Sequence, residues 1–185
     1  KGALIWISRR ERDGIIENVA IGDDLRKEGF IAARTSILYD LSEDTSIQLA
    51  GDYEDRSESP GYSIGVSKYA YSTDPYNSKA ANDVYDREEN RDMYGVSLQG
   101  DHAFNDEMSL FGIVSYRDWE TWNLQDEDGT ADPTRYLDTN NIEKSNIWYS
   151  EVRFHFVNDR FDAIAGGNYS VEDVYQRTDI GLLAD

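Results

Sequence analysis

The sequence predicts an all-β fold, an antiparallel up-and-down meander of about seven strands that forms part of a transmembrane β-barrel. Three observations carry that expectation. Apolar residues recur with period 2 in segment after segment, while no stretch holds a helical stripe. Short and long connections alternate strictly along the chain. The aromatic residues of the apolar faces sort into two rows, one beside the short turns and one beside the long connections.

The first strand, near residues 4–10, alternates poorly. In residues 33–39 one parity reads Ala33, Thr35, Ile37, Tyr39 and the other Arg34, Ser36, Leu38. Residues 45–55 set Ile47, Leu49, Gly51 and Tyr53 against Ser46, Gln48, Ala50, Asp52 and Glu54. Residues 93–104 set Tyr94, Val96, Leu98, Gly100 and Phe104 against Ser97, Gln99 and Asp101. In residues 108–119, Leu110, Gly112, Val114 and Tyr116 share a face, with Phe111 and Ile113 intruding on the other. Residues 147–157 set Trp148, Ser150, Val152, Phe154 and Phe156 against Glu151, Arg153 and His155. Residues 161–173 set Phe161, Ala163, Ala165, Gly167, Tyr169 and Val171 against Asp162, Asn168, Ser170 and Glu172.

The turns at 40–44, 105–107 and 158–160 are rich in Asp, Asn and Ser, which bend the backbone through local side-chain hydrogen bonds. The connections at 11–29, 56–92 and 122–144 are long and charged. Compact soluble domains seldom carry structureless loops beyond about 15 residues. The alternation therefore implies one tidy end and one elaborated end.

Composition excludes other classes. In 185 residues the longest apolar run is residues 3–7, whereas a helical span needs about 20. No signal peptide is recognisable at Lys1. The absence of Cys removes disulfides and thiolate metal sites. With 18 Lys and Arg against 37 Asp and Glu, the net charge of -19 argues against a nucleic-acid partner. Aromatics at 12%, and 14 Gly against 3 Pro, favour strands and tight turns.

Tyr39, Phe104, Phe156 and Phe161 form the row at the short turns; Tyr53, Tyr94, Tyr116, Trp148 and Tyr169 form the row at the long connections. The rows are separated by roughly 20 to 25 Å, close to the band about 25 Å tall that aromatic girdles flank in outer-membrane barrels. These nine are the expected lipid-girdle residues. Arg34, Glu151 and Arg153 lie mid-strand with the opposite parity, as do Asp52 and Gln99. A lipid-facing Arg there would cost about 2 to 4 kcal/mol, so these five are expected to face a wet lumen. His102 breaks the pattern near the lower interface. A soluble sandwich or propeller also alternates, but nothing in it would sort aromatics into two rows at constant spacing.

Several phrases resemble the barrel domain of TonB-dependent outer-membrane receptors. They are Glu11-Arg12-Asp13-Gly14 with Asn18 and Gly22-Asp23-Asp24-Leu25 before Ala33-Arg34; Ser115-Tyr116-Arg117-Asp118-Trp119; and Ser150-Glu151-Val152-Arg153-Phe154, a short turn, then residues 160–167 beginning Arg160-Phe161-Asp162. The resemblance covers nearly the whole chain apart from the tip of the 56–92 connection. It implies a plugged barrel of about 22 strands in the bacterial outer membrane, importing a scarce solute on energy relayed from the inner membrane. The default solute is a ferric siderophore, a metal chelate. Implied partners are outer-membrane lipid and the TonB energy-transducing protein, the latter through an N-terminal plug region that this chain lacks. About seven strands cannot close such a barrel, and open edges are not viable in lipid, so residues 1–185 are expected to be an internal piece of it. A passive porin-type barrel and a secreted polysaccharide-binding β-domain remain as alternatives.

No catalytic pattern emerges, and neither enzymatic activity nor a cofactor is expected. His102 and His155 have no nucleophile pattern to join; His155 is expected to line the lower lumen. Asp126-Glu127-Asp128-Gly129 has the look of a calcium loop, but alignment to an EF-hand puts Leu124 first and Arg135 last, both wrong. The run therefore reads as a solvated acidic loop. Asp83, Asp86, Arg87, Glu88, Glu89, Arg91 and Asp92 read as a water-facing loop base rather than a cation-capture site. Candidate solute contacts are Arg117, Trp119 and Trp122, climbing from the lumen wall, with Arg135 and Tyr136 in the same long connection. Guanidinium and aromatic faces suit chelates, sugars or planar ligands.

Overall fold

A computed structural model describes residues 1–74, 76, 79–84 and 89–183. Seven strands form one antiparallel sheet in chain order: β1 (Gly2–Arg12), β3 (Glu28–Asp40), β4 (Thr45–Glu58), β6 (Glu89–Asn105), β7 (Met108–Asp126), β8 (Tyr136–Val157) and β9 (Asp162–Leu183). Two short strands, β2 (Glu17–Asn18) and β5 (Lys79–Ala80), pair in parallel with each other. The chain is thus all-β, and its main sheet is the meander that the alternation predicts.

The short turns close as their residues dictate. Thr45 O accepts from Leu41 and Ser42 N–H. Asn105 Oδ1 accepts from Glu107 N–H at 2.9 Å, and Asn158 Oδ1 accepts from Arg160 and Phe161 N–H at 2.9 Å each. Asn side chains here supply the acceptor that an unpaired turn amide needs.

At the other end the strands run much further than alternation suggests. β7 reaches Asp126 and β8 starts at Tyr136, so most of the expected 122–144 connection is extended hairpin, and only 127–135 link the two strands. β9 continues to Leu183 rather than ending near 173. The extensions are richer in polar and charged residues than the band below, with Trp122, Leu124, Ile142, Ile180 and Leu182 spaced among them, and the β8–β9 ladder holds in unbroken register from Tyr136↔Leu183 to Val157↔Asp162.

The sheet itself has almost no buried interior. β9 is exposed along nearly its whole length, and the sheet's exposed side chains include Ile5, Ile37, Leu49, Val96, Leu98, Trp148 and Val152. β1 and β9 each pair on one side only. Among the described residues, the buried apolar ones are Leu25, Ala80, Ala81 and Val84, all in the connections β1–β3 and β4–β6.

Candidate functional site

Cross-strand register sorts the side chains into two faces, because directly opposed residues share a face. Arg34, Asp52, Gly95, Arg117, Ile147 and Glu172 lie in one continuous row. Gln48, Gln99, Ile113, Glu151 and Asn168 lie in a second row of the same face. Arg34, Asp52, Gln99, Glu151 and Arg153 therefore share this polar face, on which two charge pairs close. Arg117 reaches across β6 to Asp52 at 2.9 and 3.0 Å. It can do so because β6 presents Gly95 between them: a Cβ there would lie 3.1 Å from Asp52 Oδ1 and 3.2 Å from the guanidinium. Glu151 accepts from Arg153 and from the Tyr149 hydroxyl. His155 bonds Asp162 at 2.7 Å on the same face, near the short turn.

The other face carries the aromatics. Tyr39, Tyr53, Tyr94, Phe104, Tyr116, Trp148, Phe156, Phe161 and Tyr169 share it with the aliphatics Ile37, Leu49, Val96, Leu98, Val114 and Val152. Trp148 is 51% exposed, Leu98 47% and Tyr169 66%, so the band is bare rather than packed. Its aromatics touch along the row: Tyr94 to Tyr116 at 6.1 Å and Tyr116 to Trp148 at 4.9 Å between centroids. His102 sits edge-on to Phe104 at 4.6 Å and bonds Thr45 Oγ1 at 2.8 Å, which gives its ring a polar partner on this apolar face.

The aromatic rows do not follow the hydrogen-bond rows; both slant across them in the same direction. Tyr53 and Tyr94 are directly opposed. Tyr116 and Trp148 are opposed too, but two residues closer to the short turns than Asp118, the partner of Tyr94. Tyr169 faces Ser150, two residues closer again. The upper row thus drops four residues over four strand steps, about 13 Å in about 19 Å, a slope of about 35°. In the lower row, the register of Tyr39 leads to Gly100, Val152 and Gly167, which lie four residues from Phe104, four from Phe156 and six along the chain from Phe161, just before β9. Six residues over five steps is a slope of about 40°.

Beyond the upper row this face turns charged, through Asp55, Asp92, Glu120 and Lys144 in one register line. Above it the connections knit into a cap. Asn18 donates to Asn82 O at 2.7 Å and accepts from Asn82 N–H at 3.0 Å, joining the first connection to the second. Lys27 N–H donates to Ser59 Oγ, and Ser59 N–H to Lys27 O. The second connection meets the third where Gly65 N–H donates to Gly129 O and Arg135 stacks 4.2 Å over Tyr69.

The five candidate solute contacts are not brought together. Arg117 and Trp119 share the polar face, but Arg117 is committed to Asp52. Trp122 has the other parity, and its indole N–H donates to Asn140; the expectation that it climbs from the same wall as Arg117 is corrected by its even position on β7. Arg135 is held on Tyr69, and Tyr136 begins β8 opposite Leu183. Of the acidic loop base, Asp86, Arg87 and Glu88 lie outside the described residues; Glu89, Arg91 and Asp92 belong to β6 rather than to a loop, and Asp83 is half-buried.

Asp126 is the largest departure from the sequence reading. It is fully buried at the end of β7, not solvated. Its Oδ1 accepts from the N–H groups of Asp128 at 2.9 Å and Gly129 at 2.7 Å, while Oδ2 has no partner. Desolvation pushes its carboxyl up to about 7, with Asp128 and Asp83 adding repulsion against the lowering by the two backbone amides. The Asp83 and Asp138 carboxyls are also raised, first by desolvation and then by their acidic neighbours. Among the described residues, no three metal-ligating side chains stand close enough, as they are, to enclose an ion.

Compared with known proteins, the chain matches no protein-family model, no curated protein and no solved structure.

Proposed function

We propose that this chain is a stretch of barrel wall from an outer-membrane TonB-dependent transporter, which imports a scarce solute, ferric siderophore by default, on energy relayed from the inner membrane. The observation that carries the membrane reading is the common slant of the two aromatic rows. Hydrogen-bond rows run perpendicular to antiparallel strands. A line level with a flat bilayer must therefore cross them at the angle by which the strands tilt, about 35–45° in outer-membrane barrels. A soluble sheet has no reason to hold two such lines parallel.

The rest of the wall fits that setting. Bare side chains such as Leu98 and Val96 gain nothing in water, whereas each Leu- or Val-sized side chain taken out of water contributes about 1.5 to 3 kcal/mol. On the opposite face Arg117 pairs with Asp52 and Arg153 with Glu151, a polar surface that suits a wet lumen. Edges β1 and β9 supply pairing sites for neighbouring strands of the same barrel. The specific assignment to TonB-dependent transport rests on the sequence phrases and on strands that rise far past the upper aromatic row into a loop cap.

The test uses the protein that carries this chain, in its own cells. It should fractionate with the outer membrane, and uptake of labelled ferric siderophore should stop when an uncoupler collapses the proton gradient. Uptake that survives the uncoupler would point to a passive pore. Recovery in the soluble fraction would overturn the membrane reading itself.

A further inference from the structure

We propose that the cavity between the end of β1 and the start of the second connection, lined by Arg12, Arg26, Lys27, Ser59 and Tyr62, binds a small oxyanion, the phosphate or carboxylate group of a free solute. Arg12, Glu28 and Glu58, the strand residues that line it, share the parity of Arg34 and Asp52, so the cavity belongs to the polar face. The site does not depend on the wall lying in lipid.

The first observation is the backbone of Arg26. On one side of it Leu25, 2% exposed, donates to Ile16 O at 2.7 Å and accepts from Ile15 and Ile16 N–H. On the other, Lys27 N–H donates to Ser59 Oγ at 3.1 Å, and Ser59 N–H donates to Lys27 O at 3.2 Å. Between these two fixed residues Arg26 turns to φ 64°, the only non-glycine at positive φ among the described residues. That left-handed region suits Gly or Asn and penalises a long side chain. What calls for Arg at this position is therefore its side chain, not its backbone.

The second observation is a set of uncommitted donors on one cavity of about 470 Å³, a size that suits a small molecule. Among the described residues the Arg26 guanidinium and the Tyr62 hydroxyl have no hydrogen-bond or ionic partner. Arg12 Nε–H is buried without one, although the same guanidinium holds Glu28 at 2.6 Å and Arg26 O at 3.4 Å. The carboxylates of the lining are already engaged, Glu28 by Arg10 and Arg12, and Glu58 by Arg56 at 3.7 Å. Lys27 is held by Asp23, which leaves Arg26 as the uncommitted charge. A guanidinium fork matches the paired oxygens of carboxylate or phosphate, and a phenol and a further Arg N–H add donors for the same group.

The experiment takes the full protein and titrates two free probes, pyrophosphate and citrate, by calorimetry, with chymotrypsin cutting after Tyr62 as a second signal. At least one probe should bind with a Kd of about 1 mM or tighter and slow that cut; the tighter of the two assigns the ligand group as phosphate or carboxylate. Arg26→Gln should weaken binding about tenfold or more, the loss of a charged hydrogen bond, and leave the cut unchanged when no probe is present. Arg26→Gly should bind as poorly as Arg26→Gln yet be cut no faster than the parent, because glycine adopts this φ without strain. Arg160→Gln, in an exposed turn at the far end of the sheet, should bind like the parent. Neither probe binding, Arg26→Gln binding as tightly as the parent, or Arg160→Gln weakening binding as much as Arg26→Gln would each overturn the site. So would faster cutting of the probe-free Arg26→Gly protein, which would make Arg26 a structural residue.

Discussion

The wall and the cap are built on opposite principles. The wall is a hydrogen-bonded ladder from β1 to β9 with large side chains bare on one face and paired charges on the other. The cap has few regular elements, yet it holds the buried apolar residues Leu25, Ala80, Ala81 and Val84 and the buried polar groups Asn18, Asn82 and Asp126. A ladder without a core draws its stability from whatever covers its faces and edges, whereas a cap with internal contacts carries its own. Damage to one should therefore leave the other readable.

The sharpest way to break that contrast is within the wall. Leu98→Arg, at mid-band on the bare face, should cost about 2 to 4 kcal/mol in lipid and block assembly, while Gln99→Arg one residue along should be tolerated. Heat-modifiable gel mobility of the full protein measures this, and equal damage from both would refute the face assignment. The largest cap effect should come from Gly129→Val. Gly129 has φ 66°, and a Cβ there would lie 2.3 Å from Gly65 N. Strain and collision together cost about 3 kcal/mol, which protease cutting in 59–74 should report while the assembled fraction stays constant. Asn18→Ala should follow at about 2 kcal/mol, because it strands the Asn82 carbonyl and amide that Asn18 satisfies in a buried site. Loss of wall assembly in either cap variant would show that the two regions are not independent.

The smallest effect should come from the polar face. Gly95→Val would push Arg117 off Asp52, and because both partners are substantially exposed the cost should be about 1 kcal/mol or less. A double-mutant cycle of Asp52→Asn with Arg117→Gln isolates the pair. Coupling should appear in the parent and vanish when the cycle is repeated on the Gly95→Val background; coupling that persists there would mean the bridge does not pass over the glycine.

The same contrast explains what is legible in the sequence. Where one strand face is apolar and the other polar, period 2 is visible, so β3, β4, β6, β7, β8 and β9 and the two aromatic rows can be read from residues such as Tyr94 and Gln99 alone. Past Trp119 the charged Glu120 and the run Gln125-Asp126-Glu127-Asp128-Gly129 dilute the pattern to Trp122 and Leu124, and a hairpin reaching Asp126 looks like loop. β2 and β5 stay hidden because two-residue pairings between 17–18 and 79–80 have no local signature. Asp126 is buried at a hairpin tip where Gly65 meets Gly129, a long-range contact with no spacing rule. Trp122 is misplaced by sequence alone because loop residues have no assigned parity until the strand is known to continue.

The Arg117 to Asp52 bridge acts as a gauge of alignment. It spans an intervening strand, and on that face β6 offers Met93 and Ser97 on either side of Gly95. Sliding β6 by two residues preserves every apolar and polar face, so the pattern of alternation alone would not detect the slip. A displaced β6 would put a side chain under the guanidinium and hold the bridge open. A hairpin added out of step would thus be penalised at the one place where the ladder itself is indifferent.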